Sequence, residues 1–239
     1  MDTEISGRIH FLDSLRGFTL IHMVLFHLCY DLVFFVGMDM PWYKGVPGNV
    51  WGGFIRWSFI LISGIVFPFG RHPLKRGLIL MGWGFVLTLV TWTVLPEALI
   101  RFGILSFLGS ASILGAMAYP YRKRIPALCG IFGCAVLFAL TRMALARRVP
   151  EMFYETRWLY WLGFPNQTFY STDYFPVLPW IFLFFIGIFL GEIFREKGVF
   201  SHMRRWKPGI LAFLGRHSLC IYLIHQPVIY GLCLLYLSI

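Results

Sequence analysis

The chain has 239 residues, of which 58% are hydrophobic, 19% aromatic and only 13% charged. A soluble globular domain carries about 25% charged residues, so this composition excludes an ordinary soluble fold and indicates an integral membrane protein. The net charge of +10 is spread over short basic clusters between apolar segments rather than over one folded face, which argues against nucleic-acid binding.

Seven apolar segments are long enough to cross a bilayer. A hydrocarbon core about 30 Å thick requires about 20 largely apolar residues in a helix, and proline and glycine separate the segments that meet this length. The predicted spans are 15–37, 50–69, 77–95, 102–120, 125–145, 176–194 and 210–236. We therefore predict an all-α polytopic helix bundle that forms a single transmembrane domain over residues 1–239.

The distribution of lysine and arginine predicts the orientation of the bundle, because basic residues are enriched in cytoplasmic loops. They cluster before the first span and after the second, fourth and sixth spans. These clusters are Arg8 and Arg16; Arg71, Lys75 and Arg76; Arg122, Lys123 and Arg124; and Arg195, Lys197, Arg204, Arg205 and Lys207. Arg147, Arg148 and Arg157, in the fifth connection, depart from the pattern. We predict a cytoplasmic N-terminus in a bacterial inner membrane.

The first predicted span carries a polar stripe. At 100° per residue, four of its titratable residues share one helix face. They are Asp13, Arg16, His27 and Asp31. Tyr30 lies at the edge of the same face, whereas His22 lies on another face and is interpreted as structural. His27 follows Arg16 by eleven residues and so lies about 16 Å further along the helix.

Two interpretations of this stripe remain open. An intramembrane aspartate costs roughly 2.5–3.5 kcal/mol, so Asp31 requires a compensating partner or a function. In the structural interpretation, His27 and Asp31 form a polar pair that fixes helix packing. In the functional one, His27 is a general base, and Asp31, at i+4, hydrogen-bonds it and stabilises its cation. Arg16 then grips phosphate at the cytoplasmic end.

Other residues are candidates for the same site. Arg216 and His225 lie in the last span, with Arg216 at the cytoplasmic edge as a phosphate ligand or headgroup anchor and His225 deeper as a substrate contact or packing group. Arg56, within the second span, is expected to face Asp31, another acid or a ligand phosphate. Asp173 is either the N-cap of the sixth span or a substrate contact.

Four segments resemble known acyltransferases. The segment LDSLRGFTLIHMVLFH, Leu12 to His27, resembles the first-helix signature of the transmembrane acyltransferase superfamily, in which a functional histidine follows the glycine by ten residues. Three later segments are similar to the heparan-α-glucosaminide N-acetyltransferase catalytic-domain family. They are RFGILSFLG (101–109), DYFPVLPW (173–180) and GRHSLCIYLIHQPV (215–228). Together the four segments extend over nearly the whole chain.

The resemblance implies transfer of an acyl group, acetyl above all, from cytosolic acetyl-CoA or another short acyl-CoA. The implied acceptor is an amine or hydroxyl of a sugar or envelope glycan presented from the other side of the lipid bilayer. Site residues follow from these roles. The catalytic pair is His27 and Asp31, the donor ligands are Arg16, Arg56 and Arg216, and the acceptor contacts are Tyr30, Asp173 and His225.

A proton-coupled transporter is the alternative function, because intramembrane His27 and Asp31 also suit a proton relay. A transporter requires no phosphate ligand and often contains paired repeats with broken helices, and the sequence has no evident repeat. Nothing in the sequence indicates a metal site, and a homo-oligomer is left open.

Overall fold

A computed structural model describes residues 9–148, 150–207 and 209–238. Arg8, part of the predicted cytoplasmic cluster, lies outside the described residues. Within these ranges the chain forms helices and no strand. The helices are α1 (His10–Phe34), α2 (Pro41–Lys44), α3 (Val46–Val66), α4 (Pro73–Val94), α5 (Ile104–Ala118), α6 (Ala127–Ala146), α7 (Val177–Glu196), α8 (Val199–Met203), α9 (Ile210–Arg216) and α10 (Ser218–Leu237).

The predicted all-α polytopic bundle is confirmed. In the described part of the chain, seven helical stretches are long and apolar enough to cross a membrane. They are His10–Phe34, Val46–Phe69, Pro73–Val94, Ile104–Arg124, Ala127–Ala146, Val177–Glu196 and Ser218–Leu237. The cytoplasmic position of the N-terminus stays a prediction.

The first and last predicted spans differ from the observed helices in ways that affect the site. The first helix begins at His10 rather than at residue 15, and the acidic Asp13 lies in its first turn, where a negative charge is favoured by the helix dipole. The last span, predicted as one helix over 210–236, is divided into α9 and α10 at His217, whose backbone angles are not helical. The polar residues Arg216, His217 and Ser218 stand at this break, although apolar residues on both sides of it favour one continuous span.

The chain divides into two compact units, and the prediction of a single domain stays a prediction. The first unit contains the described parts of Met1–Ile62 and Arg195–Ile239, and the second is Ser63–Phe194. In the first unit α1 packs against α9 and α10. In the second, α4 packs against α5.

The packing of α1 against α9 depends on two glycines. A β-carbon on Gly17 would overlap the carbonyl oxygen of Leu211, and one on Gly215 would overlap the carbonyl oxygen of Asp13. The two backbones are therefore in direct contact, as is common where small residues line the interface of membrane helices.

Side chains of α1 also pack against α3. Leu20 and Met23 of α1 form a buried cluster with Ile55 of α3, and partly buried side chains of α9 and α10 pack against the same cluster. Trp51 Nε1 donates a hydrogen bond of 3.0 Å to His22 Nδ1, which agrees with the structural interpretation of His22. Together these contacts fix the rotation of α1 and direct its polar stripe toward α9 and α10.

In the second unit a buried ion pair joins α7 to the segment after α5. Arg122 Nε lies 2.7 Å from Glu192 Oε1, and the Tyr119 hydroxyl donates to the same oxygen at 3.0 Å. The Arg122 guanidinium also lies 3.6 Å from the Tyr119 ring centroid. Arg122, predicted only as an orientation signal, is thus also part of the packing.

Candidate active site

Two histidines from different helices meet in the first unit. His27, on α1, and His225, on α10, have ring centroids 4.8 Å apart, and 3.1 Å separates His27 Nδ1 from His225 Nε2. His225 is buried and His27 is half-buried. The sequence predicted both as site residues, and the structure brings them into hydrogen-bonding contact.

The surrounding carbonyl oxygens determine which nitrogen of each ring carries a proton. His225 Nδ1 lies 2.6 Å from the carbonyl oxygen of Tyr222, and a carbonyl only accepts, so this nitrogen donates. In a neutral ring His225 Nε2 is then an acceptor. His27 Nδ1 lies 3.1 Å from the carbonyl oxygen of Met23 and must also donate, here to two acceptors.

The lone pair of neutral His27 is therefore on Nε2. Two independent acceptors, the Met23 carbonyl and His225 Nε2, require the proton on Nδ1. Since the other ring nitrogen is fixed as the proton acceptor, the arrangement suits a general base. When Nε2 takes a proton, the imidazolium keeps both of its Nδ1 hydrogen bonds.

Asp31 has a different hydrogen-bond partner from the one expected. Its carboxylate is 0% exposed, and both of its oxygens accept hydrogen bonds of 3.0 Å from Gln226 Nε2. The expected hydrogen bond between His27 and Asp31 is not present among the described residues. His27 Nδ1 is already bonded to Met23 and His225, so the orienting function expected of Asp31 is performed by these two groups.

The candidate donor ligands Arg16 and Arg216 lie beside the contact between α1 and α9. Arg16 is half-buried and immediately precedes Gly17, while Arg216 is exposed and immediately follows Gly215. Arg216 Nε donates to the Ala212 carbonyl oxygen at 3.2 Å, near the end of α9, where a cation is favoured. Arg16 and Arg216 are thus sequence neighbours of the two glycines at which α1 and α9 are in contact.

Arg56 was expected to face Asp31, another acid or a ligand phosphate. It is exposed on α3, and its Nη1 lies 3.4 Å from the position of a β-carbon on Gly52. Asp31 is bonded to Gln226 instead, so the pairing of Arg56 with Asp31 is wrong. The short amide side chain of Gln226 reaches Asp31 from the directly packed helix α10.

Two tyrosines lie near the C-terminal end of α1. Tyr30 is half-buried, with its ring centroid 4.6 Å from that of Phe34. Tyr43 is buried, and its hydroxyl donates to the Phe26 carbonyl oxygen at 3.2 Å. Burial raises the pKa of the Tyr43 hydroxyl above its usual value, and Asp31 adds to this effect.

Asp173 belongs to the second unit, where it has a structural contact. Its Oδ2 accepts a hydrogen bond of 3.2 Å from the backbone nitrogen of Ile104, so it caps α5 rather than the sixth span. A β-carbon on Gly103 would lie 2.7 Å from this oxygen, which explains the glycine before the helix. The expected N-cap of the sixth span is therefore wrong.

Gln226 is the site residue that sequence reasoning missed. It follows His225 directly and lies in a predicted span, where an amide is costly unless it is paired. A polar amide within an apolar span is visible in the sequence, but a search limited to titratable groups does not find an uncharged side chain. The carbonyl contacts of Met23 and Tyr222 had no sequence signal, since every residue has a carbonyl group.

A hydrogen-bonded pair of imidazoles inside a polytopic helical protein defines a broad class of membrane proteins, which includes both enzymes and proton-coupled transporters. The family model described as "Heparan-alpha-glucosaminide N-acetyltransferase, catalytic" matches residues 8–227 of the chain. The chain therefore belongs to this family, and the protein is a transferase of a membrane acetyltransferase family. No curated protein and no solved structure matches the chain.

Proposed function

We propose that the protein transfers an acetyl or other short acyl group from cytosolic acyl-CoA to an amine or hydroxyl of a sugar or glycan acceptor on the other side of the membrane. His27 is the general base. The observation that carries this proposal is the contact of His27 Nδ1 with the Met23 carbonyl oxygen and with His225 Nε2. Both contacts favour a proton on Nδ1, so that Nε2 is left as the proton acceptor.

The chemical step transfers one acyl group and one proton. The acceptor nitrogen or oxygen attacks the thioester carbonyl carbon while its proton passes to His27 Nε2. The carbon–sulfur bond then breaks, the CoA thiolate leaves, and it recovers the proton from the imidazolium or from water. His225 and the Met23 carbonyl orient the base and stabilise its cation through the Nδ1 proton.

Three arginines are proposed to bind the phosphates of the donor. Arg16 and Arg216 flank the contact between α1 and α9, and guanidinium groups bind phosphate in a bidentate manner. Arg16 precedes His27 by eleven residues, a separation of about 16 Å along a helix. The pantetheine arm is long enough for this distance. Arg56 is the third proposed phosphate ligand.

The acceptor enters from the opposite end of the first helix in this proposal. The family is named for a glucosaminide, so glucosamine is a suitable test acceptor. We propose that Tyr30 and His225 contact the acceptor. A contact of Asp173 with the acceptor stays a prediction from the sequence. The protein then lies in a bacterial inner membrane with its N-terminus in the cytoplasm.

Transfer of labelled acetyl groups tests this function. Purified protein in liposomes is incubated with labelled acetyl-CoA and glucosamine, and acetylated product is measured for wild type, His27→Ala and His22→Ala. We expect His27→Ala to abolish transfer while it retains acetyl-CoA binding. His22→Ala, which removes another α1 histidine, is the matched control and should keep transfer.

Two results would contradict the proposal. Transfer that persists in His27→Ala would exclude the base, and equal loss in His22→Ala would indicate general damage to α1. Proton flux through the same liposomes without acetyl-CoA tests the transporter alternative, in which His27 and Asp31 relay protons. A flux that requires His27, together with indifference to acetyl-CoA, would favour that alternative.

A further inference from the structure

The side-chain amide of Gln226 has a fixed orientation. Its Nε2 lies 3.0 Å from each carboxylate oxygen of Asp31, which is fully buried. An ionised carboxylate only accepts hydrogen bonds, so the amide nitrogen must face Asp31. The amide oxygen, Oε1, therefore points away from the carboxylate.

This oxygen is a buried acceptor with no donor. Gln226 Oε1 receives no hydrogen bond from any residue that the structure describes. Buried polar atoms are nearly always hydrogen-bonded in native proteins, because an unsatisfied one loses its interaction with water without compensation. A group outside the described chain that supplies an N–H or O–H is the natural partner.

The position of Gln226 indicates which substrate supplies that donor. Asp31 follows His27 by four residues, so it lies about 6 Å further along α1 and on the side away from Arg16. In the proposed function the donor arm extends from Arg16 to His27 and ends at the thioester. Gln226, held against Asp31, lies beyond that end, where the acceptor approaches.

We infer that Gln226 binds the acceptor substrate. Its Oε1 accepts a hydrogen bond from an N–H or O–H of the sugar, and Asp31 is a positioning residue that holds the amide in this orientation. The inference rests on the proposed function and adds an acceptor subsite to it. It gives Asp31 an effect on acceptor binding that acts through Gln226 rather than through His27.

Steady-state kinetics of Gln226→Met test the subsite. Methionine keeps approximately the same length and removes both polar atoms of the amide. We expect the KM for glucosamine to rise about tenfold, a factor that corresponds to about 1.4 kcal/mol, while the KM for acetyl-CoA stays within about twofold of wild type. Gln167→Met is the matched control, because Gln167 is the other of the two glutamines in the sequence and is exposed.

An equal rise in the KM for acetyl-CoA would overturn the inference, because it would place Gln226 on the donor. An unchanged KM for glucosamine would overturn it as well. If Gln226→Met shows no cooperative thermal unfolding and is therefore misfolded, Gln226→Asn replaces it. Asparagine keeps the amide but is one methylene shorter, so the same selective rise in the KM for glucosamine is expected.

Asp31→Asn tests the positioning role. An asparagine at this position offers both a donor and an acceptor, so the Gln226 amide can adopt either orientation. We expect a rise in the KM for glucosamine that is smaller than in Gln226→Met. A fall in kcat with both KM values unchanged would show that Asp31 acts through His27 instead.

Direct binding separates this inference from the proposed function. If wild-type protein transfers no acetyl group, the proposed function fails, and the stabilisation of the protein against heat by glucosamine alone becomes the measurement. Stabilisation of wild type that is lost in Gln226→Met supports the subsite. Equal stabilisation of both proteins, or none of wild type, overturns it.

Discussion

His27 Nδ1 lies 3.1 Å from His225 Nε2, although the two histidines are 198 positions apart in the chain. Each histidine lies ten residues after a glycine at which α1 and α9 are in backbone contact: Gly17 precedes His27 within α1, and Gly215, at the end of α9, precedes His225 on α10. The hydrogen bond between the two imidazoles therefore depends on the backbone contact between the two glycine positions.

Loss of His225 should slow the chemical step without abolishing it. In His225→Leu, His27 loses one of two Nδ1 acceptors but keeps the Met23 carbonyl. We expect kcat for acetyl transfer to fall about tenfold, as the loss of one orienting hydrogen bond predicts. His225→Gln offers an amide oxygen as a replacement acceptor and should recover part of the rate. A complete loss of activity in both variants would contradict this prediction, because it would show that the Met23 carbonyl alone does not orient His27.

An alanine at Gly17 should destabilise the protein strongly. The added β-carbon would overlap the Leu211 carbonyl oxygen, so α1 and α9 must separate. Overpacking typically costs about 1–3 kcal/mol, and we expect a lower thermal unfolding temperature in detergent together with loss of transfer. Gly231→Ala is the control, because nothing lies within 4 Å of that position. Equal stability of the two variants would disprove the backbone contact.

Two substitutions separate the structural role of Asp173 from its predicted role in acceptor binding. Asp173→Ala removes the cap of α5 and should cost about 1 kcal/mol of stability. Asp173→Asn retains an oxygen that accepts from Ile104, so its stability should stay near that of wild type. If Asp173 also contacts the acceptor, the KM for glucosamine rises in Asp173→Asn. An unchanged KM would limit this residue to its capping role.

The free energy of unfolding should decrease at alkaline pH, in part because of the buried hydroxyl of Tyr43. Burial raises the pKa of this hydroxyl, so above about pH 10, where the unfolded chain loses the tyrosine proton, the folded state still binds it. Stability from this group is present at neutral pH and decreases as pH rises beyond that point. Tyr43→Phe should therefore lose less stability than wild type between pH 9 and pH 11, values near the ordinary tyrosine pKa of about 10.

The measurement is the thermal unfolding temperature at each pH, with Tyr121→Phe as the control at an exposed tyrosine. A pH dependence of Tyr43→Phe identical to that of wild type would show that the Tyr43 hydroxyl does not contribute. A matching change in Tyr121→Phe would show a general effect of removing one tyrosine.

The sequence predicted the spans well because the bilayer thickness imposes a length on any apolar helix. It also placed His27 and Asp31 on one helix face, since that depends only on the helical period. It could not predict the partner of either side chain. Whether Asp31 pairs with His27, Arg56 or Gln226 depends on the rotation and depth of α10 against α1, which no local pattern encodes.

The cap on α5 shows the same limit at a smaller scale. Asp173 stands directly before the sixth span in the sequence, which favoured capping of that span. In the fold, the backbone nitrogen of Phe175 donates to the Phe102 carbonyl oxygen, so the two segments run side by side and the carboxylate reaches Ile104 instead. Hydrogen bonds between distant segments overrode the local preference.

The equal ten-residue separations in the two segments restrict how their lengths can vary. One residue inserted between Gly17 and His27 would turn the imidazole by about 100° and shift it by about 1.5 Å, which would break its contact with His225. A matching insertion between Gly215 and His225 would turn the second imidazole in the same sense, so the two rings would point in opposite directions and the pair would not be restored. Both segments should therefore keep their present length, and a redesigned version must leave both of them unaltered in length.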